Sequence, residues 1–265
     1  MKGRMKTAKE IDRASRERYP KRSVARQRAG LGIEVLVALG ALVMLAPVAL
    51  IFITAFKPDA EIIHFRGILP REWTLENFRE ILGSPEEIPI FRWFANSLFI
   101  SSMVTLLVLT VTSLAAYALA RLNLPGKRWV FFLIVATLMV PGQILLVPVY
   151  LILETLRWID TPLALIVPAG ASAFGVFLLH QFFLSIPRDL EDAAAIDGCS
   201  KWGIYWNVIL PLSRPALATL GIFTFVGSWN DFLGPLVFLD SVDQYTLPVG
   251  IALFQTSYYA EYALT

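Results

Sequence analysis

Few side chains in this sequence could do covalent chemistry. The chain has 265 residues, with one cysteine and two histidines. Cys199 by itself excludes an internal disulfide and a cysteine-based metal site. His64 and His180 stand far apart and read as interfacial or hydrogen-bonded structural groups, so no metal site is expected. There is no Gly-x-x-x-x-Gly-Lys-Ser/Thr phosphate loop, and nothing resembles a nucleophile elbow or a zincin helix. Intramembrane proteolysis, the enzyme alternative, has no motif behind it. No catalytic residue and no cofactor on this chain are expected. The groups that could act do so by contact. Asn96, Gln143, Trp229 and Asn230 fall inside long apolar stretches, where polar residues are costly and tend to mark pathways. With Asp231 they could form a polar ring suited to solute hydroxyls, Trp229 giving an apolar face for a sugar ring. Helix–helix hydrogen bonding is the alternative use of Asn and Gln in such places.

The second group with a use is the polar stretch from Ile186 to Pro215. Pro187 suits the first position of a helix. Asp189, Glu191 and Asp192 then oppose the positive end of its dipole. Ala193, Ala194 and Ala195 favour the helix, and Gly198 can end it in the left-handed conformation. Ser200 can cap a second short helix, punctuated by Pro211 and Pro215. The product is a helix–turn–helix with a small-residue face that another backbone can approach closely.

The elements that must position these residues are apolar. Hydrophobic residues make up 56% of the chain, too many for an ordinary soluble domain. Residues 1–30 hold eleven Lys or Arg and three acids, a basic tail better suited to setting topology than to binding nucleic acid. Residues 31–265 read as a transmembrane domain. Spans are expected over 31–56, with a kink at Pro47, and over 93–120, 129–153, 162–183 and 215–239. The connector after Arg121 carries Lys127 and Arg128 and no acid, so it and the N terminus are expected on the cytoplasmic side. That puts the loop 184–214 on the same side. Between the first two spans, Leu75, Phe78, Ile81 and Leu82 predict a short amphipathic helix capped by Thr74. Pro141-Gly142 and Pro148 predict kinks in the third span.

Asp192-Ala193-Ala194, Asp197-Gly198 and Val208-Ile209-Leu210-Pro211 together resemble the cytoplasmic EAA loop of ATP-binding-cassette importer permeases. Asn96-Ser97, Ala116-Tyr117 with Arg121 and Gly126, Pro141, Pro148, Trp229-Asn230 and Thr246-Leu247-Pro248-Val249-Gly250 extend the likeness over about Leu31 to Phe254. They are similar to the second permease subunit of the carbohydrate-uptake branch, the maltose and glycerol-phosphate type. The resemblance implies an all-α membrane protein, the transmembrane domain of a type I importer, with five spans visible of an expected six. It implies a sugar or sugar-like solute moved across a bacterial plasma membrane. The partners implied are a homologous second permease, two ATPase subunits that bind ATP and Mg²⁺, an extracytoplasmic solute-binding protein and membrane lipid, with no nucleic acid. Glu191, Asp192, Ala193, Ala194, Asp197, Gly198 and Pro211 would be the ATPase-coupling residues. Three departures stand out. Asp192 replaces the usual Glu, Cys199 replaces the usual Ala, and no sixth span is visible between the Leu-Pro-Val-Gly segment and Thr265, which suggests a sequence truncated before a sixth helix. A permease for a non-sugar solute and a secondary transporter are the alternatives. A secondary transporter should show repeated halves and ionisable groups at mid-bilayer, and neither is visible.

Overall fold

The computed structural model describes residues 24–58, 61–62, 67–83 and 88–263, and side chains within 34, 36–58, 61–62, 67–83 and 88–255. His64 and most of the basic tail lie outside them. The chain divides into two compact units between Glu80 and Ile81, and the described residues form helices and turns without a strand.

The first unit is led by α1 (Val24–Thr54). It begins inside the stretch expected to be a tail, because nothing from Val24 to Gly30 breaks a helix. It runs as one element through Pro47, whose missing N–H leaves the Val43 carbonyl without its ladder donor. The turn after α1 is stitched by side chains. Asn77 Nδ2 donates to the Ala55 and Lys57 carbonyls at 3.1 and 3.0 Å, orphan acceptors at the helix end. Lys57 is buried and its Nζ donates to the Gly67 carbonyl at 2.6 Å. Thr74 Oγ1 accepts from Glu76 N at 3.1 Å, the expected cap of the short helix α2 (Glu76–Gly83).

Helix α3 (Ile90–Arg121) is the centre of the second unit, and the helices beginning at Leu163, Ala173, Arg214 and Leu247 pack against it. Its 32 residues rise about 48 Å at 1.5 Å each. Trp93, Ser97, Ile100, Val104, Val108, Thr112, Ala116 and Ala120 are buried, a stripe at three- and four-residue spacing. After it come α4 (Lys127–Ala136) and α5 (Leu146–Thr155), then α6 (Leu163–Ala169) and α7 (Ala173–Ser185). The polar stretch holds α8 (Asp189–Ile196), α9 (Lys201–Ile204) and α10 (Leu210–Leu212). Last are α11 (Arg214–Trp229), α12 (Leu233–Phe238) and α13 (Leu247–Ala263). By length and composition, Leu36–Thr54, Ile90–Arg121 and Leu163–Ser185 can each cross a membrane. Two bent helix pairs can as well, 127–155 and 201–229.

Several expected spans differ in form. The one over 129–153 bends by 94°. The break follows Val140, where Pro141 starts a 3₁₀ turn over Gly142–Leu145. Pro148 makes no second break. It sits in the first turn of α5, where a missing N–H costs no ladder bond. The span expected over 215–239 is helical only to Trp229, stops at Asn230 and resumes as α12. The Leu-Pro-Val-Gly segment precedes no later helix. It opens one, since Leu247 begins α13 and Pro248 falls in its first turn. At 17 residues that helix is about 25 Å long, and its Thr and Tyr residues obscure it in hydropathy.

Around that helix start the side chains explain the motif. Leu247 N donates to Ser97 Oγ at 2.8 Å, and Val249 is fully buried. A Cβ on Gly250 would lie 2.3 Å from the Trp93 ring, so only glycine fits. Trp93 Nε1 donates to the Val242 carbonyl at 2.8 Å. The turn after α5 is held to the same loop. Asp160 (φ +60°) donates its N–H to the Phe238 carbonyl at 2.8 Å. Its carboxylate accepts from Asp240 N (3.0 Å), Ser241 N (2.9 Å) and Ser241 Oγ (2.5 Å). Partial desolvation raises the carboxyl pKa, but the Ser241 and Asp240 hydrogen bonds outweigh it and hold it below the usual aspartate value.

Two predictions follow from these packings. Gly250→Ala lowers thermal stability in detergent by overpacking, about 1–3 kcal/mol. Gly221→Ala, whose Cβ would sit 3.5 Å from Leu109 in ordinary contact, leaves it unchanged or raises it. Equal melting of the two variants would contradict the packing. For Asp160 the folded pKa is depressed, so its stabilisation is complete above the unfolded value of about 3.9 and is lost as pH falls through the folded one. Thermal scans from about pH 6 down to about pH 3 show a steeper loss in the wild type than in Asp160→Asn.

Candidate functional site

The polar stretch folds as a short lever clamped at both ends. Pro187 stands just before the helix rather than within it, and Arg188 takes the cap position. Glu191 N and Asp192 N donate to the Arg188 carbonyl at 2.9 and 3.0 Å. At the other end Gly198 has φ +86°. Its N–H donates to the Ala195 carbonyl at 3.1 Å and Cys199 N to the Ala194 carbonyl at 2.9 Å, the paired bonds of a Schellman motif. A Cβ on Gly198 would meet nothing within 4 Å, so conformation and not space demands glycine. Ser200 Oγ then accepts from Gly203 N at 3.2 Å and caps α9. Tyr205–Ile209 form a π turn that leads into Leu210 and Pro211. The wider turn absorbs the N–H that Pro211 lacks. At Ser213 the helix direction changes by 75°. That side chain is fully buried, and its hydroxyl donates to the Ile209 carbonyl at 2.7 Å.

Arg121 ties the lever to the spans. It lies in the last turn of α3 with its side chain 3% exposed. Its Nη2 donates to the Phe183 carbonyl and, at 2.6 Å, to the Ile186 carbonyl. Its Nε lies 3.0 Å from Glu191 Oε1, on a side chain 13% exposed. One cation thus meets the negative ends of α3 and α7 and an acid at the positive end of α8. Nearby, Tyr117 donates to the Lys201 carbonyl at 3.0 Å, and the Tyr205 and Ser113 hydroxyls are 2.8 Å apart. The two tyrosine rings pack at 5.1 Å.

The expected coupling residues therefore divide by direction. Glu191 is turned inward onto Arg121, so it anchors the lever and is not offered to a partner. Ala194 packs against the core. Asp192, Ala193, Asp197 and Gly198 are exposed. Ile196 is 86% exposed on the same helix face as Asp192 and Ala193. This uncovered isoleucine beside acids is not among the residues singled out from the sequence, although the three-residue step from Ala193 could have found it. Pro211 is half-buried at the π turn.

The four pathway candidates do not gather into a ring. Asn96 Nδ2 donates to the Asp243 and Tyr245 carbonyls at 2.8 and 3.0 Å, so its amide is spent on pinning a loop. Gln143 is exposed at the bend of the 127–155 pair. Trp229 is half-buried against Phe225 and Phe94, with ring centroids 5.9 and 5.4 Å away. Asn230 caps α11 with its side chain exposed. Its neighbours Ser228 and Asp231, not Trp229 or Asn230, line a cleft of about 350 Å³ between α3, α6, α11 and α12. His180 stacks on Phe131 with centroids 4.0 Å apart, and no group of ligating side chains that could hold a metal occurs among the described residues.

Residues 110–265 match the family described as "Binding-protein-dependent transport system inner membrane component". The chain is 37% identical to the arabinooligosaccharides transport system permease protein AraQ of Halalkalibacterium halodurans, over 82% of this chain and 78% of that one. It is 38% identical to the sulfoquinovosyl glycerol transport system permease protein SmoH of Agrobacterium fabrum, over 80% and 74%. A solved bacterial ABC transporter involved in the import of the acidic polysaccharide alginate superposes with a TM-score of 0.76 at 26% identity. It covers 89% of this chain and 82% of that one.

The clamp has a measurable consequence. Arg121→Gln leaves the Glu191 carboxylate buried without its counter-ion and two carbonyls without their donor. The expected loss is about 3–5 kcal/mol, as for breaking one side of a buried pair, read by thermal unfolding in detergent. Arg121→Met with Glu191→Leu recovers part of it. A single variant that melts like wild type would refute the clamp.

Proposed function

The chain belongs to the family of binding-protein-dependent transport system inner membrane components, and on that premise we propose that it is the permease subunit of an ATP-driven sugar importer. The carrying observation is the lever 189–198, ended by the Schellman turn at Gly198, anchored inward by Glu191–Arg121 and bare outward at Asp192, Ala193 and Ile196. An element with one face half-buried against the spans and the other free is suited to passing motion between a partner and the spans.

In this reading the chain lies in a bacterial plasma membrane with its N terminus in the cytoplasm. It pairs with a homologous permease, and a solute-binding protein delivers substrate from outside. ATP and Mg²⁺ are held by two separate ATPase subunits, which close on ATP against the exposed face of α8. Arg121 carries that displacement to α3 and α7 together, because it is bonded to both helix ends and to the lever. The cavity switches sides only as far as ATP binds one state better than the other. Asp192, one methylene shorter than glutamate, holds any ion pair to the ATPase closer to the helix axis. The arabino-oligosaccharide, sulfoquinovosyl glycerol and alginate systems named above support a saccharide-type solute.

Two measurements test this. In cells with and without the gene, uptake of labelled arabino-oligosaccharides, chitobiose, maltose, glycerol phosphate and amino acids is compared, with the ATPase intact or disabled. Loss of one saccharide's uptake, restored only with an intact ATPase, is the expected result. Persistence with the ATPase disabled indicates a secondary transporter. Gly198→Val strains the left-handed turn by about 1–3 kcal/mol and is expected to uncouple ATP hydrolysis from uptake, while Gly198→Asn keeps most of the coupling. Normal uptake in the valine variant counts against the lever.

A further inference from the structure

Two helix breaks flank the cleft beside α3. One is Gly170–Ser172, between α6 and α7, and the other is Asn230–Phe232, between α11 and α12. Within a membrane, interrupted backbone is tolerated where it is covered by protein or lines a polar cavity. Ala169 and Ser172 border the cleft from the first break, and Ser228 and Asp231 from the second. Its lining also includes the hydroxyl-bearing Thr224 and Thr246, the aromatic Phe223 and the apolar wall of Leu165. Thr246 is 3% exposed, and its buried hydroxyl meets no hydrogen-bond partner. Leaving such a group unmatched costs about 1–3 kcal/mol, so a site that binds a polar ligand there recovers a bond the fold does not make.

We propose that this cleft binds one neutral sugar ring of the transported solute, with the Asp231 carboxylate accepting from its hydroxyls. A carboxylate and several hydroxyls satisfy the polar rim of a pyranose, while Phe223 and Leu165 cover its C–H face. At about 350 Å³ the cleft sits at the low end of the roughly 300–1,000 Å³ usual for small-molecule sites. It holds a single ring and not a chain of them. The Asp231 charge excludes a uronate, since two carboxylates in one small cleft repel. Solute would therefore pass this subunit ring by ring, with selection against acidic units built into it. The sugar identity of the ligand rests on the proposed importer function.

The test uses the full chain purified with its partner subunits, Cys199→Ser to remove the native thiol, and Ser228→Cys as reporter. Maleimide labelling of residue 228 is timed with glucose or glucuronate as probe. Glucose is expected to slow labelling by the factor 1 + [glucose]/Kd, and glucuronate is expected not to. Asp231→Asn lets glucuronate protect as glucose does. Gly227→Val, whose Cβ position is open at the cleft wall, abolishes protection. Thr246→Val weakens protection while leaving melting unchanged or higher, opposite to the loss expected of a structural hydrogen bond. Labelling indifferent to glucose, or glucose and glucuronate protecting alike in the presence of Asp231, overturns the proposal. Labelling needs no turnover, so glucose protection in a complex that imports no saccharide would fail the transport reading and keep the cleft. Saccharide import without protection would do the reverse.

Discussion

Arg121 is the interaction on which the second unit depends. A cation almost removed from water is costly unless its charge and its hydrogen bonds are both met. Here the Phe183 and Ile186 carbonyls at the end of α7 accept from its Nη2, and the Glu191 carboxylate supplies the counter-charge. The partners lie close together in the chain, from Phe183 to Glu191, so one side chain at the end of α3 holds the end of α7 and the start of α8 together. The hydroxyl contacts of Tyr117 and Tyr205 act a turn or two further along α3 and oppose rotation of α9 about that point. The lever is thus rigid with respect to the spans for an electrostatic reason, not because its own eight residues are a strong helix. A helix that short is marginal alone.

Breaks in the helices give the rest of the molecule its shape, and each has a chemical cause. Pro141 ends the first half of one bent pair. The π turn before Pro211, with the buried Ser213 after it, turns another. Asn230 stops α11. At Asn230, and at the Gly170–Ser172 break between α6 and α7, backbone groups leave the ladder and the chain supplies polar neighbours. Ser172 accepts from Gly175 N at 3.0 Å after the Pro168 region, and Asp231 faces Gly234 N beyond Asn230. Glycine serves close approach where helices cross. At Gly175 a Cβ would come within 3.0 Å of Thr112 and 3.2 Å of Leu220, which is how small residues let helices pack in an apolar medium.

Local chemistry was legible in the sequence. The acid-first helix, the left-handed Gly198, the Ser200 cap and the Thr74 cap all form as their residue types dictate, because each depends on neighbours within a few positions. Direction was not. Nothing local distinguishes Glu191 from Asp192, yet one is bound to Arg121 and the other is exposed. The difference arises from a helix ending seventy residues earlier in the chain, roughly the separation of those positions. Asn96 misled for the same reason. Its place in an apolar run marked it as costly, but the carbonyls it satisfies come from a loop near Asp243 that hydropathy does not align with it. Hydropathy misled at α13, where no span is visible after the Leu-Pro-Val-Gly segment and that segment itself begins a helix of 17 residues.

Gly250 shows how a motif that looks like a turn can be a packing contact. Proline beside glycine ordinarily signals a loop. In this chain Pro248 takes the first turn of a helix, where its ring is harmless, and Gly250 admits the Trp93 indole at a distance no side chain would allow. The indole in turn holds the Val242 carbonyl, while Asn96 holds those of Asp243 and Tyr245. The loop that these contacts fix carries Thr246 to the edge of the cleft. A sequence segment far from the lever therefore positions one of the two buried hydroxyls, Ser101 and Thr246, that have no hydrogen-bond partner among the described residues. The rigid contacts of this unit lie at the two ends of α3, and between them the cleft has a fixed wall on one side and two broken helices on the other.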